Sequence, residues 1–308
     1  MTIYEKPALE IADVRAVLNS HMGSDVAALT RLEGGNMDGV FSFIHEGKDG
    51  VIKFSRMQNA YETDRFVMQL LTQQGVSFPQ CIGQGNAGTM EYLIMNRIPG
   101  RNLIECTDEQ KESQLPELIE KVVLMNNVHL GTTSGYGSIK PDGNGSYSSW
   151  NEYILSFFAE DQTGNFWEGW YDLFDTTCLQ RDVFEECYAR LLAYSSYNEP
   201  HRHFIHGDFH PWNILSDGHK ITGFIDGNFA YGDFLIDLAT LTDTLGTLDV
   251  VEAYKEYNDK AGIIISNFKE RLIGARYFKG LDGLRFFAKM GWNDAYTELR
   301  DSLLKLTD

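Results

Sequence analysis

Apolar residues at Ile11, Val14, Val17 and Leu18 recur at helical spacing and stop short of Gly23, which predicts a helix over 9–20. The period then changes. The runs "VFSFI" and "VIKFS", rich in β-branched and aromatic residues, flank the turn-forming "EGKDG" and predict a hairpin, with a preceding strand that ends at Leu32. Residues 60–74, "AYETDRFVMQLLTQQ", return to a helical pattern with Phe66, Leu70 and Leu71 inward and Gly75 as the stop. "GTMEYLIMNRI" predicts another strand, broken at Pro99-Gly100. Beyond Gly100 the pattern is mainly helical: 115–130, then several helices from about 150 to 195, then everything after Asp233. A glycine- and serine-rich loop, "GTTSGYGSIKPDGNGSYSS", and a strand, "ITGFID", interrupt it. There is no internal repeat, low-complexity tail or coiled coil. The organisation is α+β, with a small antiparallel β-sheet lobe over 1–98 enclosing one internal helix. A larger, mainly helical lobe follows over 99–308, with a hinge near 95–100.

The chain has 308 residues, 43% of them hydrophobic, enough for a large core or two. Its N-terminus, "MTIYEKPALEIADV", lacks a basic stretch followed by an apolar run, so no signal peptide is expected. No window approaches the ~18 apolar residues of a membrane span. Cys81, Cys106, Cys178 and Cys187 are scattered without a CxxC pair, which fits reduced thiols in the cytoplasm. The net charge of −18 argues against nucleic acid as a partner and suits a cationic small molecule, although solubility alone also accounts for it.

Two motifs are decoys. "GQGNAG", residues 83–88, fits the glycine spacing of a dinucleotide fingerprint, but the segment after it reads as a strand where that motif needs a helix. A hairpin turn is the simpler reading. "HRHFIHGDFH" crowds His201, His203, His206, Asp208 and His210 together, which makes a metallo-hydrolase a rival reading. The spacing does not follow the HxHxDH arrangement.

Asp208, Asn213 and Asp226 form a more specific pattern. Asn213 lies five residues after Asp208, and Asp226 closes the strand "ITGFID" thirteen further on. Phosphoryl transfer in kinase-like enzymes uses an aspartate to take the acceptor's proton, with an asparagine and a second aspartate as hard oxygen ligands for Mg²⁺.

The full pattern, "HGDFHPWNIL" followed by "FIDGNFAYGDFLIDLA", resembles the aminoglycoside phosphotransferase family, which has a protein-kinase-like bilobal fold. The resemblance covers residues 30 to 300. It implies that Asp208 is the catalytic base, that Asn213 and Asp226 hold Mg²⁺, that His206 braces the loop, and that Asp233 and Asp237 buttress it. One departure is Gly227-Asn228, where many members carry an aromatic and a polar residue. In the small lobe the resemblance assigns Gly34 and Gly35 to a phosphate-covering hairpin and Lys53 to the phosphates. It favours Asp64 over Glu62 as the partner of Lys53. Backbone groups of Met95, Asn96, Arg97 and Ile98 are assigned to adenine. The implied reaction moves the γ-phosphoryl group of ATP, or GTP, onto a hydroxyl of an aminoglycoside or aminocyclitol antibiotic. Choline, an amino sugar or a macrolide is the alternative acceptor.

The segments "SGYGSIKPDGNGSYSSWNEYI" and "GLDGL" resemble members that act on hygromycin B. Against that, "TLTDTLGTLD" has none of the aromatics that follow the Gly-Asp helix there. Glu160, Asp161, Asp243 and Asp282 are candidate partners for the acceptor's ammonium groups, although for any one of them a solvated surface position is the simpler reading. Trp150, Trp167 and Trp170 are candidates to pack a sugar ring, although core packing is the commoner use of such residues. The protein is expected to act as a monomer or weak dimer.

Overall fold

The computed structural model describes residues 7–32 and 38–307. Helix α1 (Ile11–Met22) ends at Gly23 as its pattern predicts. Strands β1 (Ala27–Arg31), β2 (Gly39–His45) and β3 (Lys48–Ser55) follow, then helix α2 (Glu62–Thr72) and strands β4 (Cys81–Ala87) and β5 (Met90–Asn96). They form one antiparallel sheet in the order β1-β2-β3-β5-β4.

Period-2 alternation gives this sheet two different faces. Phe41, Phe43, Ile52, Phe54 and Ile94 pack on Val14 and Leu18 of α1 in a separate small core. Each such side chain contributes roughly 1.5–3 kcal/mol by its burial. The alternate positions Leu93 and Met95 face the other way and join a second, larger core with α2 and the helices that follow. Lys53 lies between Ile52 and Phe54 and so belongs to this second face.

Inside α2 the buried residues are Val67, Met68 and Leu71, not Phe66 and Leu70, which are only partly covered. Five apolar residues between 66 and 71 allow two adjacent stripes, and packing selects the one that also carries Asp64. The glycine pattern at 83–88 is β4 itself plus the turn to β5, with no helix after it.

The large lobe opens with β6 (Arg101–Asn102) and α3 (Asp108–Asn126). Helix α3 starts seven residues earlier than the pattern suggests because Thr107 and Gln110 form a reciprocal capping box. The glycine-rich stretch read as a loop contains a short hairpin, β7 (Tyr136–Ile139) and β8 (Gly145–Tyr147). Then come α4 (Trp150–Phe157), α5 (Leu173–Thr176), α6 (Arg181–Asn198), β9 (His203–Ile205), β10 (Ile214–Ser216), β11 (Ile221–Phe224) and β12 (Ala230–Gly232). Helices α7 (Leu235–Thr244), α8 (Val250–Ala261), α9 (Phe268–Met290) and α10 (Asn293–Lys305) complete the chain. Two small sheets, β11-β10-β6 and β8-β7-β12-β9, hold the ends of the 206–213 and 225–229 segments. Among the described residues no helix is long and apolar enough to cross a membrane.

Candidate active site

The loop between β9 and β10 is fixed by buried polar groups from the helices beneath it. Asp237, fully buried in α7, accepts the amides of His206 and Gly207 (both 2.9 Å) and the side-chain amide of Asn126 (2.8 Å). Burial pushes its carboxyl above the usual range. His206 is fully buried and reaches the Ile225 carbonyl with Nε2 (3.1 Å), which ties the loop to the segment carrying Asp226. Burial first of all pushes the imidazole down, so it is neutral. Asp233 accepts two N–H bonds from one edge of the Arg271 guanidinium (Nε and Nη2, 2.8 Å each) and one from the Asn198 amide, with both charged partners almost wholly buried.

Removing one partner of such a pair strands a buried charge. Arg271→Met is therefore expected to destabilise the protein by about 3–5 kcal/mol, read by chemical denaturation. A loss below about 1 kcal/mol would place the pair among those with surface-like weight.

Gly207 has φ +79°, and a Cβ there would lie 2.1 Å from the Asn228 carbonyl oxygen, so only glycine fits before Asp208. Gly227 is short of space too, because a Cβ would meet the Phe229 ring at 2.5 Å and the His206 carbonyl at 2.7 Å. Phe229 fills that space by packing on Phe78, Phe204 and His206. The departure at 227–228 is thus matched by an aromatic two positions on.

Asp208 and Asn213 meet directly: Asn213 Nδ2 donates to the Asp208 carbonyl (2.9 Å) and carboxylate (3.1 Å). That leaves Asn213 Oδ1 as the atom able to face a cation. The Asn213 carbonyl accepts the Ile225 amide (2.9 Å), so the two loops are stitched one residue from Asp226. Burial works to raise the Asp208 carboxyl. The hydrogen bond and charge of His210, 3.4 Å away, followed by the Lys279 ammonium, outweigh it and hold the group well below the usual carboxylate range. Asp208 is therefore ionised at neutral pH, the form that accepts a hydrogen bond from a hydroxyl.

Asp226 sits at φ +48°, a left-handed backbone in which aspartate is tolerated better than most residues. Its carboxylate forms an ion pair with Lys53 across the two lobes. This differs from the expected Lys53–Asp64 pair. Asp64 is half-buried and Glu62 exposed, but Asp64 acts on Lys53 only at longer range. Burial works to lower the Lys53 ammonium; Asp226 first, then Asp38 and Asp64, overcome this and raise it.

Three carboxylates thus surround one ammonium. Burial raises the Asp38 carboxyl, which accepts the Tyr61 hydroxyl (3.0 Å). Burial foremost pushes Asp64 up to about 6. A raised carboxyl binds its proton more tightly in the folded state. Its contribution to stability is therefore fullest below the unfolded value near 3.8 and is lost as pH rises through about 6. Asp64→Asn is expected to stabilise the ligand-free protein at pH 7.5 by no more than about 3 kcal/mol. The gain should vanish near pH 4, and the thermal midpoint at the two pH values tests it. Equal effects at both would contradict the assignment.

Gly34 and Gly35 lie outside the described residues. In the linker, Met95 is buried in β5, and the amides of Asn96 and Arg97 are already bonded, to the carbonyls of Gln80 (3.2 Å) and Asp49 (3.0 Å). Ile98 is the next residue, and among the described residues its N–H has no intramolecular acceptor.

The candidate acceptor carboxylates differ in their surroundings. Glu160 and Asp161 are exposed, and Asp161 accepts the Thr163 amide and hydroxyl. Asp243 is paired with Arg276 (2.8 Å) and Asp282 with Arg285 (3.0 Å) and Lys279 (3.8 Å), so neither is free. Trp150 and Trp170 are core residues, and Trp167 packs on Arg285. Among the described residues no three His, Cys, Asp or Glu side chains converge to hold a metal ion, and the histidine-rich run does not form the cluster a metallo-hydrolase needs. Sequence reasoning missed Asp38, directly after the glycine-rich stretch, and Lys279, whose contact with the loop spans 72 residues.

A model of the phosphotransferase enzyme family, APH, matches residues 28–271. The chain belongs to that family. This phosphotransferase is 25% identical over 239 residues to the hygromycin-B 4-O-kinase of Escherichia coli, a match covering 77% of this chain and 68% of that one. Its fold is that of aminoglycoside phosphotransferase APH(4)-Ia, solved as a ternary complex with AMP-PNP and hygromycin B, with a TM-score of 0.79, 21% identity and coverage of 96% and 98%. Aminoglycoside phosphotransferase APH(3'')-Id from Streptomyces rimosus shares the fold at a TM-score of 0.58 and 15% identity, with coverage of 89% and 99%. The expected α+β, kinase-like architecture is the one observed.

Proposed function

We propose that this phosphotransferase moves the γ-phosphoryl group of ATP onto a hydroxyl of hygromycin B or a closely related aminocyclitol antibiotic. The observation that carries the reaction is the continuous chain Asp208–Asn213–Ile225–Asp226–Lys53, which links a base, two oxygen donors and a phosphate-binding cation across the cleft. Asp208 accepts the proton of the attacking hydroxyl as its oxygen bonds to the γ-phosphorus. The bond to the β-phosphate oxygen breaks, and nucleoside diphosphate leaves.

Asn213 and Asp226 are the residues to hold Mg²⁺, and their donor set fits: one free amide oxygen and one carboxylate that now takes an ammonium. When bound, Mg²⁺ neutralises charge on the phosphates. Lys53 binds the phosphates and Gly34 and Gly35 cover them, while the free N–H of Ile98 singles out that residue among Met95–Ile98 for adenine. Residues 1–98 then bind nucleotide and 99–308 supply the base and the acceptor site. Four free cysteines and a nucleotide substrate suit the cytoplasm.

The choice of hygromycin B rests on the Escherichia coli relative and the resembling segments, together with the acidic surface. Glu160 and Asp161 are the carboxylates available to an ammonium group, because Asp243 and Asp282 already hold arginines. A coupled nucleotide assay with Mg²⁺ and ATP or GTP, across hygromycin B, other aminoglycosides, macrolides, choline and amino sugars, tests the reading. Turnover confined to choline or a macrolide would overturn the acceptor and leave the chemistry. No turnover with any of them would overturn both.

A further inference from the structure

Gly207 has no side chain to hold it, yet it directly precedes Asp208. Its two backbone polar atoms are gripped by side chains from different helices. The N–H is bound by Asp237 of α7 (2.9 Å), and the carbonyl accepts from Lys279 Nζ of α9 (2.8 Å). That carbonyl belongs to the peptide plane joining Gly207 to Asp208. Rotating the plane swings Asp208, and a glycine offers little steric resistance to the rotation.

Lys279 is itself anchored along one face of α9, where residues three apart are neighbours. Asp282 lies 3.8 Å from its ammonium and accepts from Arg285 (3.0 Å). Arg285 is fully buried. Its guanidinium sits 4.2–4.9 Å from the rings of Phe157, Phe158, Trp167 and Trp170 and donates to the Phe157 carbonyl. A buried arginine ringed by aromatics at one end is thus connected through two ion pairs to the Gly207 carbonyl at the other. Lys279 is 17% exposed, unlike an ordinary surface lysine.

We propose that Lys279 is a positioning residue for Asp208, clamping the Gly207 carbonyl so that the carboxylate is fixed before the acceptor arrives. The inference rests on the reading of Asp208 as the base. A misplacement of about 1 Å is worth up to about 10²-fold in rate, so a clamp one residue from the base acts on turnover rather than on binding.

Lys279→Met keeps the stem and removes the ammonium. It is expected to lower kcat by about 10-fold to 10²-fold, with KM for nucleotide and acceptor and the thermal midpoint close to wild type. Lys279→Arg, which retains a donor and the charge, is expected to recover most of the rate. Hydrogen exchange of the 206–213 peptide should quicken in the Met variant and slow again in the Arg variant. An unchanged kcat, or a loss that arginine does not relieve, overturns the inference. If the wild-type protein phosphorylates no acceptor, the functional reading fails, and the exchange measurement still decides the clamp: equal exchange in wild type and Lys279→Met overturns it.

Discussion

Asp208→Asn is expected to cut phosphoryl transfer by roughly 10²–10⁴-fold, the usual weight of a general base, while nucleotide affinity changes little. The substitution keeps the shape of the side chain and an oxygen able to accept from Asn213 Nδ2, now at 3.1 Å from the carboxylate. What is lost is the negative charge that takes the hydroxyl proton. The His210 ring at 3.4 Å and the Lys279 ammonium then face a neutral amide, which removes an attraction and adds no clash. Steady-state kcat beside calorimetric nucleotide binding separates the two effects. Turnover within threefold of wild type would remove Asp208 from the chemistry.

Asp226→Asn is expected to abolish Mg²⁺-dependent nucleotide binding, weakening it by at least about 10–100-fold, the loss seen when even outer partners of a metal site are removed. Asparagine is the better probe than alanine because it tolerates the φ of +48° at this position. Two effects combine. The metal loses its charged ligand, and Lys53 loses the carboxylate on which it rests, leaving Asp38 and Asp64 as its remaining counter-charges. Titrating nucleotide with and without Mg²⁺ checks this. An unchanged response to the metal would mean that Asp226 is not a ligand.

Local patterns made much of this site legible. The hairpin around "EGKDG" forms as β2–β3, and strand alternation puts Lys53 on the face opposite Ile52 and Phe54. The loop 206–213 and the strand ending near Asp226 are adjacent in the fold as in the motif. The misreadings have a common cause, which is long-range packing. The inward face of α2 is set by the large lobe, not by its apolar residues alone. The glycine-rich stretch after α3 forms strands because β7 finds β12, about ninety residues on. Lys53 pairs directly with Asp226, a contact between segments 173 residues apart, and meets Asp64 only at longer range. Lys279 carries no motif at all, and only the packing of α9 against the loop reveals it.

Mass spectrometry of hygromycin B after incubation with the protein and Mg²⁺–ATP tests the central claim most directly. The account predicts one added phosphoryl group on the antibiotic, absent without Mg²⁺ and almost absent with Asp208→Asn. Hygromycin B recovered unmodified, from protein that demonstrably binds Mg²⁺–ATP, would contradict it.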